Sequence, residues 1–142
     1  MVGRRRLMLL LVSALAVLAV ALACSSNDAA EVDPDTDTTS QRFPDVIAVS
    51  IDGSDGTYDF DVTVSSPYDT PERYADGWRV LAPDGTVLGE RPLAHDHADE
   101  QPFTRSLTDV EIPAGIRTVM VEARDLENGY GGGTVTEQVP DR

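Results

Sequence analysis

The chain has 142 residues with 11 Arg, no Lys and 25 Asp plus Glu, a formal net charge of −14. Such a field repels phosphate backbones and anionic headgroups, so it excludes nucleic acid as a partner. A single cysteine, Cys24, excludes an intramolecular disulfide, and most of the hundred-odd residues after the N-terminus must therefore share one self-sufficient core. The chain opens with Arg4-Arg5-Arg6, continues through 17 mainly apolar residues from Leu7 to Ala23, and reaches small residues in front of Cys24. Basic, then apolar, then small is the layout of a secretory signal.

Ala21-Leu22-Ala23-Cys24 resembles the lipobox of bacterial lipoproteins, with Ala21 where that family usually has Leu. The resemblance implies a signal peptide over residues 1–23, a diacylglycerol on the Cys24 sulfur and a mature chain that begins at Cys24. Arg4 to Met8 also loosely resembles a twin-arginine export signal, with Gly3 in place of the usual Ser or Thr. Removing Arg4, Arg5 and Arg6 leaves 8 Arg against 25 acids, a net of −17. Three explanations of that acidity stand side by side: solubility at a cell surface, adaptation to salt, and attraction of cations or basic partners. The lack of Lys beside 17 Asp resembles proteins of salt-loving or high-GC organisms. The implied location is exported and lipid-anchored to the cell membrane or an outer membrane, facing the periplasm or the exterior. Ser25 resembles the outer-membrane sorting preference of double-membrane bacteria.

Residues 24–43 read as the lipidated cysteine followed by an acidic, disordered linker. From Ser25 to Gln41 there is one large apolar residue, Val32, among many Asp, Ser and Thr, too little to offset the entropy of ordering the backbone. As a flexible coil these 17 residues span about 20 to 25 Å.

Residues 44–140 read as an all-β domain, an antiparallel sandwich of about seven strands, because short alternating runs are divided by Pro, Gly and Asp. Asp45 to Ile51 predicts a first strand with Ile47, Val49 and Ile51 on one face. Asp52 to Gly56 is a turn. Tyr58, Phe60, Val62 and Val64 alternate with Asp59, Asp61, Thr63 and Ser65, so one face is apolar and the other wet, which points to an antiparallel sheet. Asp52, Asp55, Asp59 and Asp61 match no helix-loop-helix calcium spacing and read as solvated. Pro67 to Gly77 predicts a loop with one helical turn at Pro71 to Ala75, capped by Thr70. Gly77 to Ala82 predicts a strand with Trp78 and Val80 inward, Ala82 to Thr86 a hairpin, and Val87 to Glu90 the returning strand.

Leu93 to Pro102 carries both histidines of the protein and three acids. On an extended backbone residues i and i+2 point the same way, so His95 and His97 can present both imidazoles to one ion, with Asp99 and Glu100 to assist. Imidazole and carboxylate are ligands for zinc or copper. The same pair in a polar loop is ordinarily solvated.

Phe103 to Leu107 resumes alternation, with Arg105 on the inward parity, its stem packed and its head at water or paired to Asp or Glu. Val110 to Gly115 predicts a corner, Thr118 to Asp125 a central strand with Val119, Val121 and Ala123 inward, Leu126 to Gly133 a flexible loop, and Thr134 to Val139 the closing strand. The Gly129 to Gly133 run lacks the following helix and the lysine of a phosphate cradle. No serine sits in a nucleophile elbow.

Trp78 on a central strand resembles the buried tryptophan of immunoglobulin-like sandwiches, without their paired cysteines; the resemblance implies an immunoglobulin-like or fibronectin-III-like arrangement. Glu90 to Val121, with His-x-His, Gln-Pro-Phe-Thr-Arg-Ser-Leu and Ile-Pro-Ala-Gly, resembles small uncharacterised exported proteins. These readings together predict a lipid-anchored extracytoplasmic binding domain, partnered with the membrane through its anchor and with another envelope protein. The alternative is a zinc or copper lipoprotein using His95, His97, Asp99 and Glu100, and the third is a metal-dependent hydrolase.

Overall fold

The computed structural model describes residues 41–141; the signal peptide, Cys24 and the linker up to residue 40 lie outside them. Seven strands follow one another: β1 Asp45–Ser54, β2 Thr57–Ser65, β3 Ala75–Leu81, β4 Val87–Pro92, β5 Phe103–Glu111, β6 Thr118–Asp125 and β7 Gly129–Gln138. A 3-10 turn at Ala98–Glu100 is the helical segment among the described residues. The strands form two antiparallel sheets, β1-β2-β5 and β4-β3-β6-β7, stacked as a sandwich. The fourth strand pairs with the third, whereas the constant-type immunoglobulin order places it on the opposite sheet.

Alternation in β2 and β6 becomes the core directly. Tyr58, Phe60, Val62 and Val64 meet Trp78, Val80, Val119, Val121 and Ala123 across the sandwich, and all are buried. Each large aliphatic or aromatic side chain removed from water contributes about 1.5 to 3 kcal/mol. Trp78 and Val80 lie on β3, and β3 and β6 are the inner strands of their sheet, so both central strands are where the pattern put them.

Four local expectations are corrected. In β1, Val46 is buried and Ile47 is 52% exposed, because the register shifts between Val46 and Ala48. A one-residue bulge reverses the parity of what precedes it, so Val46 joins Val49 and Ile51 against the core. The β1–β2 hairpin closes at Asp55-Gly56, both with positive φ, as a two-residue turn of this twist requires; the strand therefore runs on to Ser54.

No helical turn forms at Pro71 to Ala75. Thr70 and Arg73 exchange backbone hydrogen bonds of 2.8 and 3.1 Å instead, a tight reversal that leads into β3.

The glycines expected in a flexible loop belong to β7. Residues 126–128 make the turn, and Gly131, Gly132 and Gly133 then run under the segment that leads into β1. A Cβ on Gly131 would lie 2.6 Å from the Phe43 ring, and one on Gly132, whose φ is +86°, would lie 2.2 Å from Pro44 O. Absence of side chains here lets β7 approach β1.

Candidate functional site

Strand directions give the sandwich two poles. The chain enters at Gln41 beside the start of β1, and the 66–74 loop, the 93–102 loop and the 126–128 turn lie at the same end. The Asp55-Gly56 turn, the Ala82–Thr86 hairpin, the 112–117 corner and the residues after β7 lie at the other.

At the entering pole, Arg73 is the fastener. Its Nη2 donates to the carbonyls of Gln41 and Arg42 at 3.3 and 2.8 Å, its Nε to Asp125 at 3.2 Å, and its guanidinium lies 4.2 Å over the Tyr68 ring. Asp125 is 1% exposed, and its Oδ1 also accepts the Asn128 backbone and side-chain N–H groups at 2.8 and 2.6 Å. Burial alone would raise the Asp125 carboxyl, but the Asn128 hydrogen bonds and the Arg73 charge hold it below the ordinary carboxylate value. Arg42 donates to Asn128 Oδ1 at 3.0 Å, so residues 41–43 are joined to the sandwich rather than free of it.

The histidine loop sits at this pole and is pinned from two sides. Buried Asp69 accepts the Ala75 N–H at 3.0 Å and the His97 N–H at 3.1 Å. Gln101 accepts from Ser66 N at 2.7 Å and donates to Ser66 Oγ and His97 O. The His97 ring stacks on Phe103, with centroids 4.0 Å apart, and on His95, with centroids 4.8 Å apart.

The two imidazoles thus lie against each other, in a segment outside any strand. Their states differ: His95 is exposed and His97 is 3% exposed. Burial, then the Arg105 and His95 charges, push the His97 pKa below its ordinary 6.5, so the ring is neutral at pH 7. Its Nδ1 is buried and has no hydrogen-bond partner among the described residues. Asp99 is exposed, and Glu100 is held by Arg105 at 2.6 Å, so that arginine takes an acid rather than water, one of the two partners its position allows. Among the described residues no group of three His, Cys, Asp or Glu converges to hold a metal ion. Asp69 and Gln101, which hold the loop, escaped the sequence reading because they lie far from it or look like ordinary loop polarity.

The opposite pole carries a cleft of about 300 Å³ lined by Ala82, Pro83, Gly85, Thr118, Val119, Met120 and Thr136. Three segments meet there: the β3–β4 hairpin, the start of β6 and the facing part of β7, with Met120 paired to both Leu81 and Thr136. The lining holds aliphatic atoms and two threonines, without a titratable side chain. Nearby Val87 is 46% exposed.

The outer face between the poles is occupied by its own contacts. Tyr130 lies 3.7 Å beneath the Arg79 guanidinium and donates to Glu90 at 2.6 Å, Arg79 Nε donates to Glu122 at 2.7 Å, and Arg124 forms two 2.8 Å bonds with Asp76.

No protein-family model matches the chain. Over 99 residues, 69% of this chain, the sequence is 37% identical to a protein of Halomicrobium mukohataei named "Putative lipoprotein". The match covers 48% of that protein, so the chain spans about half the length of the curated relative it matches. A crystal structure of a hypothetical protein from Pyrococcus horikoshii OT3 aligns with 70% of this chain and 87% of its own, at a TM-score of 0.40 and 11% identity, too distant to bear on fold or function.

Proposed function

We propose that the chain is a lipid-anchored, extracytoplasmic binding module that presents the cleft at the far pole of its sandwich to a partner in the cell envelope. One observation carries this: the chain enters at one pole, through Gln41 to Phe43, and the cleft opens at the other. A domain held by its N-terminal side keeps that far pole free. The basic, apolar and Cys24 sequence supports the anchor, and so does the name borne by the 37% identical relative. The lining favours binding over catalysis, since threonines and aliphatic groups provide shape and apolar area but no acid–base pair.

Two measurements test the reading. Mass spectrometry of the membrane-extracted protein should find Cys24 as the first residue, carrying a thioether-linked lipid. An intact leader or an unmodified Cys24 would remove the anchor. A photo-crosslinking residue at Pro83 should form a discrete adduct in cells of the source organism, while the same probe at the exposed Pro71, at the entering pole, should not. Equal labelling, or none at Pro83, would remove the binding face.

A second reading is metal binding by the histidine loop, favoured by the stacked His95 and His97 rings and the unpartnered His97 Nδ1. Zinc or copper would then have two imidazoles, assisted by Asp99 or Glu100. Calorimetry with each metal on the protein and on a His95→Ala, His97→Ala variant decides it. One-to-one binding that the variant loses supports this reading; binding that the variant retains refutes it.

A further inference from the structure

Building on the proposed binding face, we infer that the far-pole cleft receives an aliphatic side chain of a cationic peptide segment, its Lys or Arg residues meeting a collar of carboxylates. The size of the cleft sets the first constraint. About 300 Å³ is the small end of ligand sites, roughly 300 to 1,000 Å³, and suits a short aliphatic group. The lining sets the second: Ala82, Pro83, Val119 and Met120 supply apolar contact, while Thr118 and Thr136 can hydrogen-bond a peptide backbone.

Charge sets the third. Asp55, Asp84, Asp109, Glu111, Glu137 and Asp141 are all exposed at this pole. Arg117 is the one basic residue of the corner beside them, and it is itself drawn toward Asp141 at 3.9 Å. Of these carboxylates, Asp84 and Glu137 directly adjoin residues that line the cleft, so negative charge flanks its opening. Asp84, at the hairpin tip between two cleft residues, accepts the Thr86 N–H at 3.0 Å, which keeps its carboxylate ionised. Such a collar steers cationic partners and rejects anionic ones, while the apolar contact supplies residence time.

The test uses the full-length chain in a nonionic detergent and fluorescein-labelled hexapeptides of alternating Lys and Leu, or Glu and Leu, read by anisotropy. The Lys-Leu peptide should bind, weaken about tenfold between 50 and 500 mM salt, and compete with its unlabelled form. An Asp84→Arg, Glu137→Arg variant, changed only at exposed positions, should weaken it about tenfold. Met120→Trp, which fills the cleft, should do likewise with an unchanged circular dichroism spectrum. Absence of binding, equal affinity for the Glu-Leu peptide, or full affinity in both variants overturns the proposal. A Pro83 crosslink to a partner without basic residues would also overturn it while leaving the tethered binding module in place.

Discussion

Asp69 Oδ2 accepts the backbone N–H of His97 at 3.1 Å, and Oδ1 of the same carboxylate accepts the Ala75 N–H at 3.0 Å. One buried side chain thus fixes the histidine loop to the start of β3. Replacing it by Ala leaves two N–H groups without acceptors, and each orphaned buried group costs about 1 to 3 kcal/mol. Asp69→Ala should lower the urea stability by about 2 to 4 kcal/mol and raise the exchange rates of the His97 and Ala75 amides above those of β2. Unchanged exchange at both amides would show that the loop is held by Gln101 alone.

The buried His97 ring should make the domain acid-sensitive. The unfolded ring titrates near 6.5, and burial lowers the folded value, so the unfolded chain binds the extra proton first. Stability contributed by the neutral ring is fully present above 6.5 and is lost as the pH falls from there through the lower folded value. His97→Gln should flatten the dependence of the thermal midpoint on pH between 7 and 5, where carboxylates with ordinary values still contribute little. A wild-type midpoint that rises on acidification through this window would contradict the assignment.

Gly132 tests the close approach of β7 to the segment before β1. Its φ of +86° already disfavours a side chain, and an added Cβ would lie 2.2 Å from Pro44 O. Gly132→Ala should therefore cost more than the 1 to 2 kcal/mol of the left-handed backbone alone, about 3 kcal/mol. A loss under 1 kcal/mol by chemical denaturation would mean that residues 43–45 can lift away without penalty.

The acidity should be visible in salt. The described residues contain 7 Arg and 20 Asp plus Glu, so like-charge repulsion opposes the compact state. Raising sodium chloride from 0.1 to 1 M shortens the screening length from about 10 to 3 Å, and the thermal midpoint should rise by several degrees. Equal midpoints would assign the carboxylates to local pairs instead of a net field.

Tyr130 organises the outer face of the four-stranded sheet by stacking beneath Arg79 and bonding Glu90. Desolvation and the Glu90 contact push its hydroxyl to about 12, so it remains a donor through the alkaline range. Tyr130→Leu should keep most of the apolar area and lose the stacking and the hydrogen bond, a cost of about 1 to 2 kcal/mol. A double-mutant cycle with Arg79→Ala reads the coupling directly, and no coupling would reduce Tyr130 to passive packing.

Sequence alone determined the elements whose signal is local. The two-residue period of Tyr58 to Val64 and of Val119 to Ala123 names the buried face without reference to any neighbour, since successive side chains on a strand must point opposite ways. Pro83-Asp84-Gly85 marks its hairpin for a similar reason, a restricted backbone in four residues. Tertiary structure decided whatever depends on a partner strand or a distant segment. The bulge after Val46 exists only against β2, so Ile47 and Val46 exchange faces despite their spacing. Gly131 to Gly133 became strand because Phe43 to Asp45 needed room across the corner, a demand arising almost ninety residues earlier. His95 and His97 were visible as a pair, but the burial of one and the exposure of the other follow from Asp69 and Phe103, which the chain brings together only by folding. The cleft has no sequence motif at all: it lies where the β3–β4 hairpin, the start of β6 and the facing part of β7 meet, and no single stretch of chain encodes that gap.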